Sequence, residues 1–333
     1  MTIDNLPLCV DLDGTLCPTD TLWEYFLAAL KKNWAILFIA PLKLLKGKAN
    51  FKSYLVRSIG TYAPKFMFQE DLLSYLKSER EKGRKLYLAT GSHEIVANRA
   101  ASQAGIFDGV FATNEHINLI SQNKADLLHK TFPEGFVYAG NSHQDLKVWE
   151  LSAAAILVNA PAAISSLART KYKVIQEFGE SPNQPSDLFK SVHPYRWIKN
   201  LLIFLPFLWS QNNSPWEFSR IAIGFASLCL CSASIYLTRD LIYIDTDRAM
   251  FKKNLIATGR LEISKACLIT PILGCASVIC ALILGKPFFF LYIVYAFLVA
   301  ISCVSISGQK NFVRFLILAA TYLWIGILGW VLL

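Results

Sequence analysis

The 333-residue sequence has few charged residues, and this scarcity limits what the protein can be. Aspartate, glutamate, lysine and arginine make up 17% of the chain, and 54% of it is hydrophobic. Soluble globular proteins carry about 25% charged residues, so a wholly water-soluble chain is excluded. The 33 basic residues exceed the 24 acidic ones. They form no basic stripe with interleaved aromatics in the N-terminal half, so we expect no nucleic-acid partner.

Metal-binding and disulfide patterns are also missing. None of the eight cysteines belongs to a Cys-x-x-Cys pair, and the histidines lack the spacing of metal ligands. Six of the cysteines lie in apolar segments, where cysteine behaves as a small hydrophobic side chain. These patterns predict a reducing compartment with no disulfides and no zinc. The first residues, MTIDNLPL, do not have the basic and apolar regions of a secretory signal.

The sequence does contain a sharp change of composition near residue 194. Residues 1–176 alternate short β-type runs, the last at 153–159, with helical segments. This order predicts an α/β doubly wound parallel sheet, and an apolar helical insert at about 20–80 predicts a cap. The polar, proline-rich residues 177–193 are typical of a linker.

Part of the insert, residues 31–48, carries an apolar run that is too short to span a bilayer, which needs about 20 residues. Lysines surround its tryptophan, phenylalanine and leucine residues, as in helices that lie in a membrane interface. A packed cap helix explains the same pattern. Both interpretations stay open at this point.

Residues 194–333 predict an all-α transmembrane domain of about five spans. The candidate spans are about 200–211, 218–238, 263–284, 288–306 and 313–332, and Pro206 interrupts the first. Lysine and arginine concentrate in the loop 239–260. The positive-inside rule then predicts an integral protein of the inner or plasma membrane, with the soluble domain in the cytoplasm.

Two aspartates, Asp11 and Asp13, follow the first apolar β-type run. Parallel sheets bind ligands beyond the carboxyl ends of their strands, and positions i and i+2 of a strand point the same way. One carboxylate can attack phosphorus and form an acyl phosphate, while the other exchanges a proton with the leaving oxygen. Two such carboxylates repel a phosphate unless Mg²⁺ neutralises the site.

The run DLDGTL resembles the first motif of the haloacid dehalogenase (HAD) superfamily of phosphatases. KLYLATGS (85–92), NKADLL and GNSHQD (140–145) look like the second, third and fourth motifs, in the expected order. The resemblance implies catalytic roles for Asp11 as nucleophile, Asp13 as general acid and base, Thr90 and Lys124, and Mg²⁺ held by Asp11, the Asp13 carbonyl, and Asp145 or Asn141. An asparagine at 141 replaces the usual acid, which lowers the charge of the metal site.

The membrane half resembles the UbiA prenyltransferase family, in particular its decaprenyl-phosphate phosphoribosyltransferase branch. HPYRWIKNLLIFLP matches the opening of that branch, and residues 235–261 match part of its first acidic motif. Acids one helical turn apart in that motif chelate the Mg²⁺ that binds pyrophosphate. Arg239 and Tyr243 replace two motif residues, and a second acidic cluster is missing, so the resemblance implies a shortened, degenerate domain. Its retained residues are Lys199, Asn200, Asp240, Asp247 and Arg248.

Three hypotheses follow from these patterns. The first is a membrane-anchored, Mg²⁺-dependent HAD phosphatase that acts through an aspartyl-phosphate on a small-molecule or lipid-linked phosphate. The second is a UbiA-type prenyl or polyprenyl-phosphate phosphoribosyl transferase, and the third is an inactive fusion that serves as a scaffold. About five spans, where the family has nine, also favour a homo-oligomer or a partner chain that supplies the missing spans.

Overall fold

The computed structural model describes residues 3–45, 47–60, 64–114, 117–210, 214–250, 254–303 and 311–333. The chain forms two compact units. The first consists of residues 1–184 together with 245–263, and the second of residues 185–244 together with 264–333. The first unit therefore includes a segment that the sequence had assigned to the membrane domain.

The first unit is built on a six-stranded parallel sheet, which confirms the predicted fold class. The strand order is β3-β2-β1-β4-β5-β6, so the winding direction changes between β1 and β4. In such sheets a crevice opens at the carboxyl ends of the two strands that flank the change. The strands are β1 (Leu8–Val10), β2 (Leu86–His93), β3 (Gly109–Thr113), β4 (Val137–Gly140), β5 (Ala154–Val158) and β6 (Val174–Phe178).

Helices cover both faces of this sheet and form the cap. Alternate residues of β1 belong to different apolar clusters, Leu8 and Val10 to one and Cys9 to the other, as the two-residue period of a strand requires. The predicted cap insert contains three helices, α1 to α3, and α4 completes the crossover to β2. The helices are α1 (Thr21–Lys32), α2 (Ile36–Leu45), α3 (Lys48–Ile59), α4 (Glu70–Glu81), α5 (Glu94–Ala104), α6 (Ser121–Thr131), α7 (Leu146–Leu151) and α8 (Ala162–Lys171).

Strand β6 corrects the prediction that the sheet ends at 153–159 and that a linker begins at 177. It pairs with β5 in parallel at the edge of the sheet. Its residues Gln176 and Glu177 are exposed, so the strand lacks the continuous apolar run that marks buried parallel strands. The predicted linker also contains a helix, α9 (Pro185–Ser191).

The second unit is all-α, as predicted, and four of its helices are long and apolar enough to cross a membrane. These four are Pro215–Ile242, Ile263–Ile283, Lys286–Cys303 and Phe315–Leu332. The helices after α9 are α10 (Leu205–Trp209), α11 (Pro215–Ile242), α12 (Ile244–Ala249), α13 (Ile263–Ile283), α14 (Lys286–Cys303) and α15 (Asn311–Leu332).

The predicted count of about five spans is corrected to four in the described part of the chain. Residues 194–204 form a 3-10 helix, and α10 adds only five residues before Ser210. Pro206 lies in the first turn of α10, where a residue without an N–H group is tolerated. Twelve residues of α-helix would reach about 18 Å, less than the roughly 30 Å hydrocarbon core.

A buried ion pair connects the N-terminal residues of the first unit to α4. The Arg84 guanidinium lies 2.7 Å from the Glu79 carboxylate, and it donates to the carbonyls of Leu6 at 2.8 Å and Ile3 at 2.9 Å. Both charged side chains are almost fully buried. One side chain thus pairs a buried charge and satisfies two backbone acceptors ahead of β1.

We expect Arg84→Met to lower the free energy of unfolding of this unit by about 3 kcal/mol, because it leaves Glu79 without its buried partner. Lys85→Met is the matched control, since the Lys85 side chain is 68% exposed in its pair with Asp108 and should cost less than about 1 kcal/mol. Pulse proteolysis of the full-length protein in urea measures both values. Equal losses would contradict a structural role for the buried pair.

Candidate active site

Asp11 lies immediately after β1, at the crevice between β1 and β4. Its N–H donates to the carbonyl of Ala139 at 2.9 Å, which holds the residue against β4. Asp11 is 7% exposed, and its Oδ1 accepts a hydrogen bond from Lys124 Nζ at 2.9 Å. Within the described residues, Oδ2 accepts no hydrogen bond. One oxygen of a buried carboxylate is therefore open to a reacting atom.

The Lys124 ammonium lies between two carboxylates that come from different strands. It extends from the first turn of α6, with Nζ 2.9 Å from Asp11 Oδ1 and 3.8 Å from Asp145 Oδ1. The Tyr138 hydroxyl accepts from Nζ at 2.7 Å and donates to Asp145 at 2.9 Å. The structure thus brings Lys124 to Asp11 and places Asp145 beside Lys124.

Burial and charge act in opposite directions on these groups. Burial lowers the pKa of Lys124, but the carboxylates of Asp11 and Asp145 raise it above the usual range, so the side chain remains an ammonium. Burial raises the pKa of Asp11, and the nearby Lys124 charge opposes that rise. The cation is thus what allows a carboxylate to exist at this depth.

Asp145 fixes the loop that follows β4. Its Oδ2 accepts from the N–H groups of Asn141 at 3.0 Å and Ser142 at 2.9 Å, and from the Ser142 hydroxyl at 2.8 Å. Its Oδ1 accepts from Tyr138. Both oxygens of Asp145 are therefore engaged, and its side chain acts on the site through Lys124 and through this loop.

Asp13 is held between the cap and the sheet. Its Oδ1 accepts from the N–H of Thr21, the first residue of α1, at 2.7 Å. Its Oδ2 accepts from the hydroxyl of Ser92, near the end of β2, at 2.5 Å. The hydroxyls of Thr21 and Ser92 lie 3.0 Å apart. Asp13 is half-buried, so water and a ligand can reach it.

The sequence indicated Thr90 but missed Ser92. Thr90 is fully buried, and its Oγ1 accepts from the N–H of Ser92 at 3.0 Å, which shapes the turn at the end of β2. Ser92 is the residue whose hydroxyl reaches Asp13. Two residues apart on one strand point to the same side, so the distance from Thr90 could have indicated Ser92. No pattern indicated the role of Tyr138.

Oxygen donors of the type that Mg²⁺ prefers lie around Gly14, which has φ +75°. A Cβ added to Gly14 would lie 2.0 Å from the Asn141 Nδ2 atom, so the Asn141 amide lies directly over the turn that follows Asp13. Among the described residues, no three His, Cys, Asp or Glu side chains form a metal cluster. The open Asp11 oxygen and the Asn141 amide still fit an all-oxygen Mg²⁺ site.

A small cleft opens beside Asp13 within the first unit. Lys52 donates to the Gly91 carbonyl at 2.7 Å and places one ammonium group in an otherwise largely apolar wall. The lining includes Thr21, Tyr25, Lys52, Leu55, Ser92 and Val96. A ligand in this cleft would meet the side of the site where Asp13 is held.

The retained transferase residues of the second unit have partners within it. Asp240 lies 2.8 Å from an Arg239 nitrogen and 2.9 Å from His193 Nε2. Lys199 donates to a tyrosine hydroxyl at 3.2 Å, and the Asn200 side-chain oxygen accepts from another at 2.8 Å. These contacts occupy the acid that the transferase hypothesis would assign to Mg²⁺.

Asp247 and Arg248 belong to the first unit instead. Asp247 accepts from the Asn254 amide at 2.9 Å. Arg248 donates to Glu24 at 2.8 Å and to Thr19 at 3.0 Å. The two acids of the predicted motif, Asp240 and Asp247, therefore lie in different units, each bonded to side chains of its own unit.

Comparison with known proteins gives two curated relatives, and no family model matches the chain. The uncharacterized protein y4nM of Sinorhizobium fredii is 30% identical over 295 residues, which are 87% of this chain and 57% of that protein. Decaprenyl-phosphate phosphoribosyltransferase of Mycolicibacterium smegmatis is 33% identical over 76 residues in the C-terminal part, or 21% of this chain and 24% of that protein. The chain thus spans little more than half of the first relative.

Solved structures resemble the N-terminal half. A HAD-family hydrolase from Salmonella enterica matches with a TM-score of 0.36 and 16% identity, over 52% of this chain and 67% of that one. A predicted phosphoglycolate phosphatase from Haemophilus somnus matches with a TM-score of 0.38 and 15% identity, over 57% and 99%. Likeness of this strength does not extend to activity. The match to the phosphoribosyltransferase agrees with the resemblance of the membrane half to the UbiA family.

We expect Asp145→Ala to lower the free energy of unfolding of the first unit by about 2–4 kcal/mol. The change leaves two half-buried N–H groups and the buried Tyr138 hydroxyl without their acceptor, and it leaves Lys124 with one carboxylate instead of two. Asp126→Ala, on the exposed face of α6, should change stability by less than about 0.5 kcal/mol. Urea-dependent pulse proteolysis compares the two variants, and a loss below 1 kcal/mol at Asp145 would disprove its role in the loop.

Proposed function

We propose that this protein is a membrane-anchored phosphatase that works through an aspartyl-phosphate and depends on Mg²⁺. The main support is the position of the Lys124 ammonium, 2.9 Å from a buried Asp11 carboxylate that keeps one oxygen open. A carboxylate nucleophile beside a fixed cation suits attack on a negatively charged phosphate ester. Asp13, held at both oxygens two residues away, supplies a second carboxyl group for proton transfer.

The proposed reaction has two steps. Asp11 Oδ2 attacks phosphorus, the bond from phosphorus to the ester oxygen breaks, and protonated Asp13 gives its proton to that oxygen. Asp13 then takes a proton from a water molecule, whose oxygen attacks the phosphorus. The second step releases inorganic phosphate and restores the Asp11 carboxylate. Lys124 balances the negative charge of Asp11 in both steps.

The donors that would hold Mg²⁺ are the Asp11 carboxylate, the main-chain carbonyl of Asp13 and the Asn141 amide oxygen. Bound Mg²⁺ would supply positive charge at the phosphate oxygens. Asp145 is assigned to positioning, because its Oδ2 already accepts three hydrogen bonds and its Oδ1 accepts one from Tyr138. The amide at Asn141 carries no charge, so we expect a weaker Mg²⁺ site than an acid would give.

The substrate is proposed to be a phosphate ester that is lipid-linked or delivered at a membrane. The support is that the same chain carries four helices of membrane length, and that the cleft beside Asp13 is largely apolar with one lysine. The basic residues of the loop 239–260 favour a cytoplasmic position for the site. The transferase hypothesis has less support, because Asp240 and Asp247 are bonded within different units.

We expect the full-length protein to release phosphate from nitrophenyl phosphate and from simple alkyl phosphates only when Mg²⁺ is present. Asp11→Asn should lower kcat by at least about 10³-fold, because an amide cannot form the acyl phosphate. Asp126→Asn, a carboxylate removed from the exposed face of α6, should leave kcat unchanged. Phosphate release by the Asp11 variant at the wild-type rate, or by the wild type in excess EDTA, would disprove the mechanism.

A further inference from the structure

The segment 245–263 contacts the phosphatase unit through a buried ion pair. Arg248 Nη2 donates to Glu24 Oε1 at 2.8 Å and to Thr19 Oγ1 at 3.0 Å, and the Thr19 hydroxyl also donates to Glu24. The side chains of Arg248 and Glu24 are 8% and 4% exposed. A desolvated pair of this kind resists separation, because loss of one partner leaves an uncompensated buried charge.

Thr19, which contacts this ion pair, lies two residues before Thr21, a hydrogen-bond donor to Asp13. Thr19 is followed by Asp20, the N-cap of α1, and by Thr21, whose N–H donates to Asp13 at 2.7 Å. Fixing Thr19 therefore fixes the turn that presents the Thr21 N–H group.

The backbone of the segment 245–263 also packs closely against the turn that precedes α1. Gly259 has φ +76°, and a Cβ added there would lie 2.6 Å from the carbonyl oxygen of Pro18. Asn254 shapes this part of the segment, because its amide donates to Asp247 and its oxygen accepts from the N–H of Ile256 at 2.9 Å. Two separate contacts thus reach the residues between Asp13 and α1.

We propose that Arg248 is a positioning residue for Asp13, so that the loop between α11 and α13 completes the phosphatase site. In the sequence, this loop lies between two helices of membrane length, α11 and α13. Residues 1–184 alone lack this residue. The activity readout of this proposal rests on the proposed function, whereas its stability readout does not.

The test uses the full-length protein with Arg248→Met, Arg248→Lys, and Arg260→Met as the matched control in the same segment. Asp13→Asn serves as the reference for lost proton transfer. A nitrophenolate leaves without much help from an acid, whereas an alkoxide needs protonation. We expect Arg248→Met to lower kcat about 10-fold or more on an alkyl phosphate and less than about 3-fold on nitrophenyl phosphate, with little change in KM, like a weaker Asp13→Asn. Arg248→Lys should recover part of the loss.

An equal loss of kcat on both substrates, or a loss as large in Arg260→Met, would overturn the positioning role. A double-mutant cycle with Glu24→Gln gives the second readout, the urea midpoint in pulse proteolysis. We expect the double variant to lose less stability than the two single losses combined, because neither charge is then left alone. Additive losses of stability would contradict an interaction between Arg248 and Glu24. If the wild type hydrolyses no ester, the proposed function fails, and this cycle still decides whether the pair exists.

A separate observation concerns helix α2, which is apolar on nearly every side. It buries only Ile36 and Ala40 against the first unit. Phe38 is 69% exposed and Leu45 is 85% exposed. Further exposed apolar residues around them are Trp34, Leu37, Leu42 and Leu44. A soluble surface helix normally carries a polar face, whereas the one charged residue of α2 is Lys43, so the exposed apolar side chains need an apolar partner.

We propose that the bilayer covers this face and that α2 lies in the membrane interface. Ten residues of helix reach about 15 Å, too short to span but suited to lying in the interface. The preceding helix, α1, is bonded to the membrane-linked segment, with Lys31 2.7 Å from Asp245. In the sequence, Asp245 follows the last residue of α11, Ile242, by three positions, and α11 is one of the four helices of membrane length.

The test places an environment-sensitive fluorescent amino acid at Phe38 of the full-length protein in lipid nanodiscs, with Asp126 as the exposed control site. We expect quenching by nitroxide-labelled lipid at 38 and protection there from iodide in the water, with the reverse at 126. Iodide quenching at 38 without lipid quenching would overturn the proposal. Protection from both quenchers at 38 would also overturn it, because a protein surface such as a second copy would then cover the helix.

Discussion

The first unit depends on one constraint, which is that two carboxylates from separate strands are buried at one crevice and need a cation between them. Lys124 supplies that cation, with Nζ 2.9 Å from Asp11 and 3.8 Å from Asp145. Burial raises the pKa of Asp11 and the charge of Lys124 opposes that rise, so the cation favours the carboxylate form that can act as a nucleophile. The same ammonium therefore serves folding, through Asp145, and the proposed chemistry, through Asp11.

A second buried cation repeats this solution farther from the sheet. The positive charge of Arg248 balances buried Glu24, as that of Lys124 balances buried Asp11. The first pair lies near Asp13 in the structure, and the second includes Asp11 itself. Buried pairs of this kind add specificity of position more than net stability, because desolvation offsets most of the attraction. In this chain the position that is specified is the start of α1, where the Thr21 N–H group meets Asp13. The first unit is therefore not confined to one continuous stretch of sequence.

Most of the fold could be predicted because local sequence patterns mark most of its strands and helices. Short apolar runs predicted β1 to β5. The order of the four motifs predicted that Asp11, Lys124 and Asp145 belong to one site. The edge strand β6 was missed, because exposed Gln176 and Glu177 break the apolar run. The first span was wrong because apolar composition does not distinguish a 3-10 helix from an α-helix. The two-residue period of a strand, counted from Thr90, could have indicated Ser92. The Glu24–Arg248 pair joins residues 224 positions apart, and no local pattern could indicate it.

The partial transferase motif acquires a physical explanation from these contacts. A Mg²⁺–pyrophosphate site needs acids whose oxygens remain open on one shared face. Asp247 instead orders its own loop through Asn254, Arg248 is committed to Glu24, and Asp240 is paired with Arg239. Each residue that the motif retains is thus held by a contact that a metal or a diphosphate would have to break. In the structure, Asp247 orders the segment 245–263 and Arg248 holds it against Glu24, whereas Asp240 is paired inside the second unit.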